Sequence, residues 1–170
     1  DDFNRLVLAA PLSGDEVVVV RAYARYMRQL GFPLSQAFIE ATLVAHPKIA
    51  YLLVRLFRLR FDPAGAPEGA EQCQVRAIEQ ALERVANLNE DRVLREYLAL
   101  ILATTRTNFW RRDARGAARP FLSFKVDPER VPTMPAPRPK YEIFVYATRF
   151  EGVHLRGGPV ARGGLRWSDR

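Results

Sequence analysis

Apolar residues recur at helical spacing through the first two thirds of the chain. The first such set has steps of three or four residues and consists of Val20, Tyr23, Met27 and Leu30. The same spacing returns in three later windows, at residues 49–57, 75–85 and 93–102. One-sided apolar positions are typical of helices that pack on a common core. We therefore predict that residues 1–110 form a helical, bundle-like domain.

Several residues mark helix ends. Ser13 and Glu16 have the spacing of a capping box, and Gly31 suits the left-handed position that follows a helix. Ser35 and Asn89 are the predicted N-caps of two later helices. The valines at 17–20 locally favour a strand, so they conflict with the helical spacing around them.

The pattern changes after residue 110. Half of the twelve prolines fall between residues 120 and 139. Residues 121–126 alternate like a short strand, and residues 141–146 (YEIFVY) and 153–155 are strand candidates. We predict an α+β chain in which a proline-rich linker with a short strand, 111–140, joins the helices to a second domain that starts at residue 141.

Charge and cysteine content restrict the function. The net charge is +7, but the cations are almost all arginines scattered over the predicted helices. This arrangement does not favour nucleic acid as a partner. No segment reaches the ~20 apolar residues of a membrane span. With Cys73 as the single cysteine and no secretory signal, we expect a cytoplasmic protein without a metal site.

The stretch at residues 151–170 has the composition of an anion site. It holds five of the ten glycines and four arginines. Paired glycines allow close backbone approach to a ligand, and guanidinium groups bind carboxylate or phosphate. Composition alone leaves open a hairpin with solvated arginines. A phosphate loop is excluded because Gly164 and Leu165 replace its lysine and hydroxyl, and no GxGxxG segment is present.

Three motifs resemble one enzyme family, the large bacterial NAD-specific glutamate dehydrogenases. They are residues 141–146 (YEIFVY), 151–158 (EGVHLRGG) and 161–170 (ARGGLRWSDR). The helical part is similar too, at residues 45–47 (AHP), 60–63 (RFDP) and 92–95 (RVLR). The resemblance implies that the chain is a fragment joining a helical region to the start of a catalytic domain.

The resemblance also implies a reaction, the NAD-dependent deamination of L-glutamate to 2-oxoglutarate and ammonia. NAD and the catalytic groups would belong to regions outside this chain, so no catalytic residue is expected here and the isolated chain should be inactive. Arg162 stands where the wider family has a lysine that binds a substrate carboxylate. Gly163 and Gly164 would allow close approach, while Arg166 and His154 would support the loop.

Two further expectations accompany this interpretation. We expect a homo-oligomer that binds neither nucleic acid nor membrane. The alternative is a helical protein-interaction or regulatory module whose Gly/Arg loop docks an acidic partner. The two hypotheses differ in whether loss of Arg162 affects glutamate kinetics or assembly.

Overall fold

The structure, a computed structural model, describes residues 2–158. Arg162, Gly163, Gly164 and Arg166 lie outside these residues. A short 3-10 turn, Asp2–Arg5, precedes the helices. The helices are α1 Leu6–Ala9, α2 Gly14–Gln29, α3 Gln36–Ala45, α4 Pro47–Phe61, α5 Ala70–Leu82 and α6 Leu88–Ala103. The strands are β1 Thr104–Thr107, β2 Phe121–Val126, β3 Tyr141–Ala147 and β4 Phe150–Arg156.

Local sequence signals fix both ends of α2. The Ser13 hydroxyl accepts from the Glu16 amide, and the Glu16 carboxylate accepts from the Ser13 amide, which confirms the capping box. At the other end Gly31 has a φ of 74°, and the amide of Phe32 donates to the carbonyl of Met27. This is the glycine-based end that the sequence predicted. The valines at 17–20 are helical, because their side chains pack inside the protein.

A bend separates α3 from α4. Ser35 caps α3, as predicted, and His46 lies between the two helices. The His46 Nε2 atom is 2.8 Å from a carboxylate oxygen of Glu90. This contact ties the bend to the first turn of α6. Within residues 2–158 no single helix is long and apolar enough to cross a membrane, and only α3 and α4 together, bent by 99°, meet that criterion.

The start of α6 corrects one prediction. Asn87, not Asn89, is the N-cap: its side-chain oxygen accepts from the amides of Asn89 and Glu90. Both asparagines are residue types that cap helices. The end of α6 is held by Arg60 of α4, which donates to the carbonyls of Leu102 and Thr104.

A four-stranded antiparallel sheet follows the helices, in the order β1-β2-β3-β4. The predicted strands at 121–126 and 141–146 are confirmed, and the one at 153–155 extends to Phe150–Arg156. The prediction of helical structure through residues 1–110 is wrong for β1, because Thr104–Thr107 pairs with β2. Threonines favour a strand once a partner is present.

The helices and the sheet share one core. On α2, Tyr23 stacks on Phe124 at 4.5 Å between ring centroids, and Tyr26 lies 5.1 Å from Phe144. All four side chains are buried. These contacts place the sheet directly on α2. The architecture confirms the α+β prediction, whereas the predicted division at residues 110 and 140 stays a prediction.

The proline-rich connector between β2 and β3 also packs on a helix. Val131 and Met134 are buried, and the Thr133 hydroxyl donates to a carboxylate oxygen of Glu96 at 2.5 Å. Glu96 is only 6% exposed. Its burial raises the pKa of that carboxyl group, and the Thr133 hydrogen bond offsets only part of the effect. The connector is therefore fixed to α6 by a buried acid.

Candidate functional site

The two faces of the sheet differ in chemistry. Side chains alternate along each strand, and residues paired across strands share a face. The inner face, towards α2, carries the buried Leu122, Phe124 and Phe144. Both acidic residues of the four strands, Glu142 and Glu151, are also on this inner face. The outer face therefore has no acidic strand residue.

The outer face carries two neighbouring cations, Arg106 and Lys125, in one row of paired residues. Arg106 pairs with Lys125, Lys125 with Ile143, and Ile143 with His154, so these residues form one row across all four strands. Arg106 is exposed, and Lys125 and His154 are partly buried. His154 thus faces away from α2. Its predicted role in supporting the Gly/Arg loop stays a prediction.

A second row lies beside the first, at the end of the sheet where β4 leads into Gly157. It consists of Tyr141 and Arg156, which pair with each other. The Lys125 Nζ atom lies 3.8 Å from the centroid of the Tyr141 ring, and the Arg156 Cζ atom lies 5.8 Å from it. The tyrosine ring attracts both cations through its electron-rich face. Positive charge is therefore concentrated at this end.

The opposite end of the sheet holds a mixed-charge cleft. A space of about 510 Å³ opens between α2, α3 and the β3–β4 turn, and Arg21, Arg149 and Glu40 line it. Tyr146 borders the cleft, and its burial raises the pKa of the phenol despite nearby arginines that oppose the change. Here charges of both signs meet, unlike on the outer face at the Gly157 end.

Two hydrogen bonds to one carboxylate join α2 to β4. Glu151 accepts a hydrogen bond from Arg25 Nε at 2.5 Å and another from Gln29 Nε2 at 2.8 Å. The Glu151 side chain is 15% exposed, whereas that of Arg25 is 44% exposed. The carboxylate thus uses both of its oxygens on a single helix.

The chemistry that this arrangement suits is anion binding. Cationic side chains next to a glycine turn suit carboxylate recognition. Among residues 2–158, no group of three or more His, Cys, Asp or Glu side chains could hold a metal ion. The nucleotide fingerprint is also missing from the sequence, so the chain offers no dinucleotide site of that type.

Comparison with known proteins agrees with the motifs of the C-terminal stretch. Residues 77–170 match the family model described as bacterial NAD-glutamate dehydrogenase, catalytic domain. Residues 1–63 match glutamate dehydrogenase, helical motif 3. The first match alone covers more than half of the chain.

The chain belongs to the bacterial NAD-glutamate dehydrogenase family.

Three relatives are named NAD-specific glutamate dehydrogenase. The chain is 54% identical to the Halomonas elongata protein over 172 residues, 53% to that of Pseudomonas aeruginosa over 175 and 45% to that of Mycobacterium tuberculosis over 174. Each alignment covers 100% of this chain and 11% of the relative. The chain therefore spans about a tenth of the length of these dehydrogenases.

Family membership confirms the resemblance, but the structure brings forward residues that sequence reasoning missed. The cationic row of Arg106 and Lys125 depends on β1, which the sequence analysis assigned to a helix. The Arg25–Glu151 contact joins residues 126 positions apart. Its one local signal is the presence of Arg25 and Gln29 four residues apart on α2, which places them on one helix face.

Proposed function

We propose that the full-length dehydrogenase containing this chain deaminates L-glutamate oxidatively. The products are 2-oxoglutarate and ammonia, with water consumed and NAD accepting a hydride from Cα. The family match and the names of the three relatives support this activity. Regions of the parent outside these 170 residues would bind NAD and supply the proton-transfer groups.

The role proposed for this chain is to deliver a carboxylate-binding segment. Arg162 would bind a substrate carboxylate, with Gly163 and Gly164 allowing close approach, and Arg166 and His154 supporting the loop. The observation that carries this role is the outer face of the sheet: cations collect where β4 leads into Gly157 and Gly158, and no strand acid lies among them. A substrate with two carboxylates is attracted by such a field.

The site assignment is tested by kinetics on the full-length enzyme. Arg162→Ala should raise the KM for L-glutamate by at least about tenfold, because a charge-assisted contact worth roughly 1.5–3 kcal/mol is lost. Arg95→Ala is the matched control, since Arg95 forms an exposed pair with Asp91 on α6. An unchanged glutamate KM in the Arg162 variant would contradict the assignment.

The second candidate function is protein docking by the helical part. Leu8 is 92% exposed and Leu88 is 71% exposed, so each offers an apolar side chain that a partner could cover. Docking predicts that Leu8→Ser changes the assembly state, as measured by light scattering, and leaves glutamate kinetics intact. The two functions are compatible within one large enzyme.

The remaining proposals concern the setting of the enzyme. We infer a cytoplasmic homo-oligomer that binds neither nucleic acid nor membrane. Cys73 supports the location, because it is a free and exposed thiol, which is typical of proteins in a reducing compartment. Sedimentation of the full-length protein would test the oligomeric state.

A further inference from the structure

The contact between Glu151 and α2 has a geometry that restrains a strand strongly. Arg25 and Gln29 are one helical turn apart on α2, so their backbone positions are spaced by roughly 6 Å along the axis and their side chains lie on one face. The two side chains converge, and each donates to a different oxygen of the same carboxylate. Two donors from two positions of the helix restrain both the location of Glu151 and the rotation of its carboxylate.

Packing on the inner side of β4 weakens towards its end. Val153 is 3% exposed and packs in the core, but Leu155, next on the same face, is 47% exposed. The main chain of β4 pairs with β3 along its whole length. Glu151 adds an ion pair that fixes β4 to a helix of the core.

The strand transmits its position to the glycines at its end. From Glu151 to Arg156 the backbone is extended, which spans about 17 Å at the usual rise of a strand. Because a paired strand is stiff along its length, a shift at Glu151 moves Gly157 and Gly158 with it. These two glycines precede the segment to which the proposed function assigns carboxylate binding.

We propose that Glu151, held by Arg25 and Gln29, is a positioning residue that sets where β4 delivers the carboxylate-binding segment. The proposal rests on the proposed function. It assigns to α2, within the region that matches helical motif 3, an indirect part in glutamate affinity. Glu151 does not touch substrate; it acts through the strand.

The test is steady-state kinetics of the full-length enzyme with Glu151→Gln and Glu151→Ala. Small misplacements of binding groups have large kinetic costs. We expect the alanine variant to raise the KM for L-glutamate about tenfold, and the glutamine variant, which keeps the Gln29 contact, to raise it about threefold. The KM for NAD should stay within about twofold in both.

A matched control is available on the same helix. Glu16 pairs with Arg58 at 2.8 Å, with side chains that are 12% and 48% exposed, close to the 15% and 44% of Glu151 and Arg25. The Glu16 pair joins α2 to α4 and does not reach the sheet. Glu16→Gln, which keeps a residue type found in capping boxes, should leave the glutamate KM unchanged.

Exchanging the charges of Arg25 and Glu151 should restore the glutamate KM. Arg25→Glu alone should raise the glutamate KM, and Arg25→Glu combined with Glu151→Arg should bring it back to within about threefold of the wild type, because the pair is restored in reverse. Amide hydrogen exchange measured on the same variants should show faster exchange confined to residues 150–158.

The outcomes separate the two claims. A wild-type enzyme that reduces NAD with glutamate, together with Glu151 variants of unchanged glutamate KM, overturns the positioning role and leaves the proposed function standing. Variants that lose kcat and protection from exchange throughout the protein show a merely structural role and also overturn it. A folded wild-type enzyme without glutamate-dependent NAD reduction overturns both claims.

Discussion

The two faces of the sheet present different side chains, apolar ones that pack on α2 and cationic ones to which we assign the attraction of substrate. The inner face presents Phe124 and Phe144 to the tyrosines of α2, and these two side chains are buried. The outer face, formed by the alternate residues of the same strands, presents Arg106, Lys125 and Arg156. The inner-face residues matter through their burial, and the outer-face residues through their charge.

This division means that the two faces should respond differently to substitution. Inner-face changes act through lost packing, which costs several kcal/mol per large side chain. Outer-face changes act through the electrostatic field, which water and salt weaken. Stability and substrate affinity should therefore separate cleanly between neighbouring residues of β2.

The largest effect is expected for Phe124→Ala. Phe124 is 1% exposed and contacts the rings of Tyr23, Tyr26 and Phe144. Its truncation should lower the free energy of unfolding by about 4 kcal/mol, because a cavity replaces three aromatic contacts. Urea unfolding of the chain, followed by circular dichroism, measures this. A loss below about 1 kcal/mol would show that the inner face does not hold the sheet.

A smaller effect is expected for Tyr23→Phe. The Tyr23 hydroxyl is 2.8 Å from the Thr104 hydroxyl in a fully buried setting, and this bond links α2 to β1. The phenylalanine ring keeps the packing, so the loss should be about 1 kcal/mol. The same unfolding experiment gives the value. Thr104→Val should cost less in the Tyr23→Phe background than alone, because only its hydrogen bond to the Leu100 carbonyl is then left to lose.

The buried acid of α6 predicts a pH effect. Burial raises the pKa of Glu96 in the folded state, so the folded chain holds this proton more tightly than the unfolded chain. The stabilisation is complete below the ordinary glutamate pKa and is lost as pH rises through the raised value. Glu96→Gln should therefore flatten the decline of stability with rising pH. An identical pH profile in the two proteins would show that Glu96 titrates normally.

The smallest effect is expected on the outer face, for Lys125→Met. Lys125 is the sequence neighbour of Phe124 but faces the other way, over the ring of Tyr141. Stability should change by no more than about 1 kcal/mol. In the full-length enzyme the glutamate KM should rise about twofold at low salt and less at high salt. A KM that does not depend on salt would contradict the proposal that the outer face attracts the substrate electrostatically.

The helices could be predicted from the sequence because their ends depend on neighbours in the chain. Ser13 with Glu16, and Gly31, act within one turn of their helix, and the structure confirms each of them. Asn87 and Asn89 show where this reasoning fails. Either asparagine could cap α6 by residue type, and the structure has Asn87, not the predicted Asn89, as the N-cap.

The sheet faces were less predictable because pairing is not local. The alternation in β2 and the aromatic and β-branched composition of β3 were sufficient to find those strands, but β1 has only four residues and forms because β2 lies beside it. Arg25 and Glu151 likewise reveal their contact only after α2 and β4 have been brought together. The motif around Arg162 was recognised from sequence, and it lies outside the described residues.

The central claim is that the parent of this chain is a glutamate dehydrogenase, and the rate of NADH formation tests it most directly. The full-length protein is mixed with NAD and either L-glutamate or L-aspartate, and absorbance at the nicotinamide band is followed. We expect saturable NADH formation with L-glutamate. We expect little with L-aspartate, because its shorter side chain cannot place both carboxylates where those of L-glutamate bind. A folded enzyme that forms no NADH with L-glutamate would contradict it.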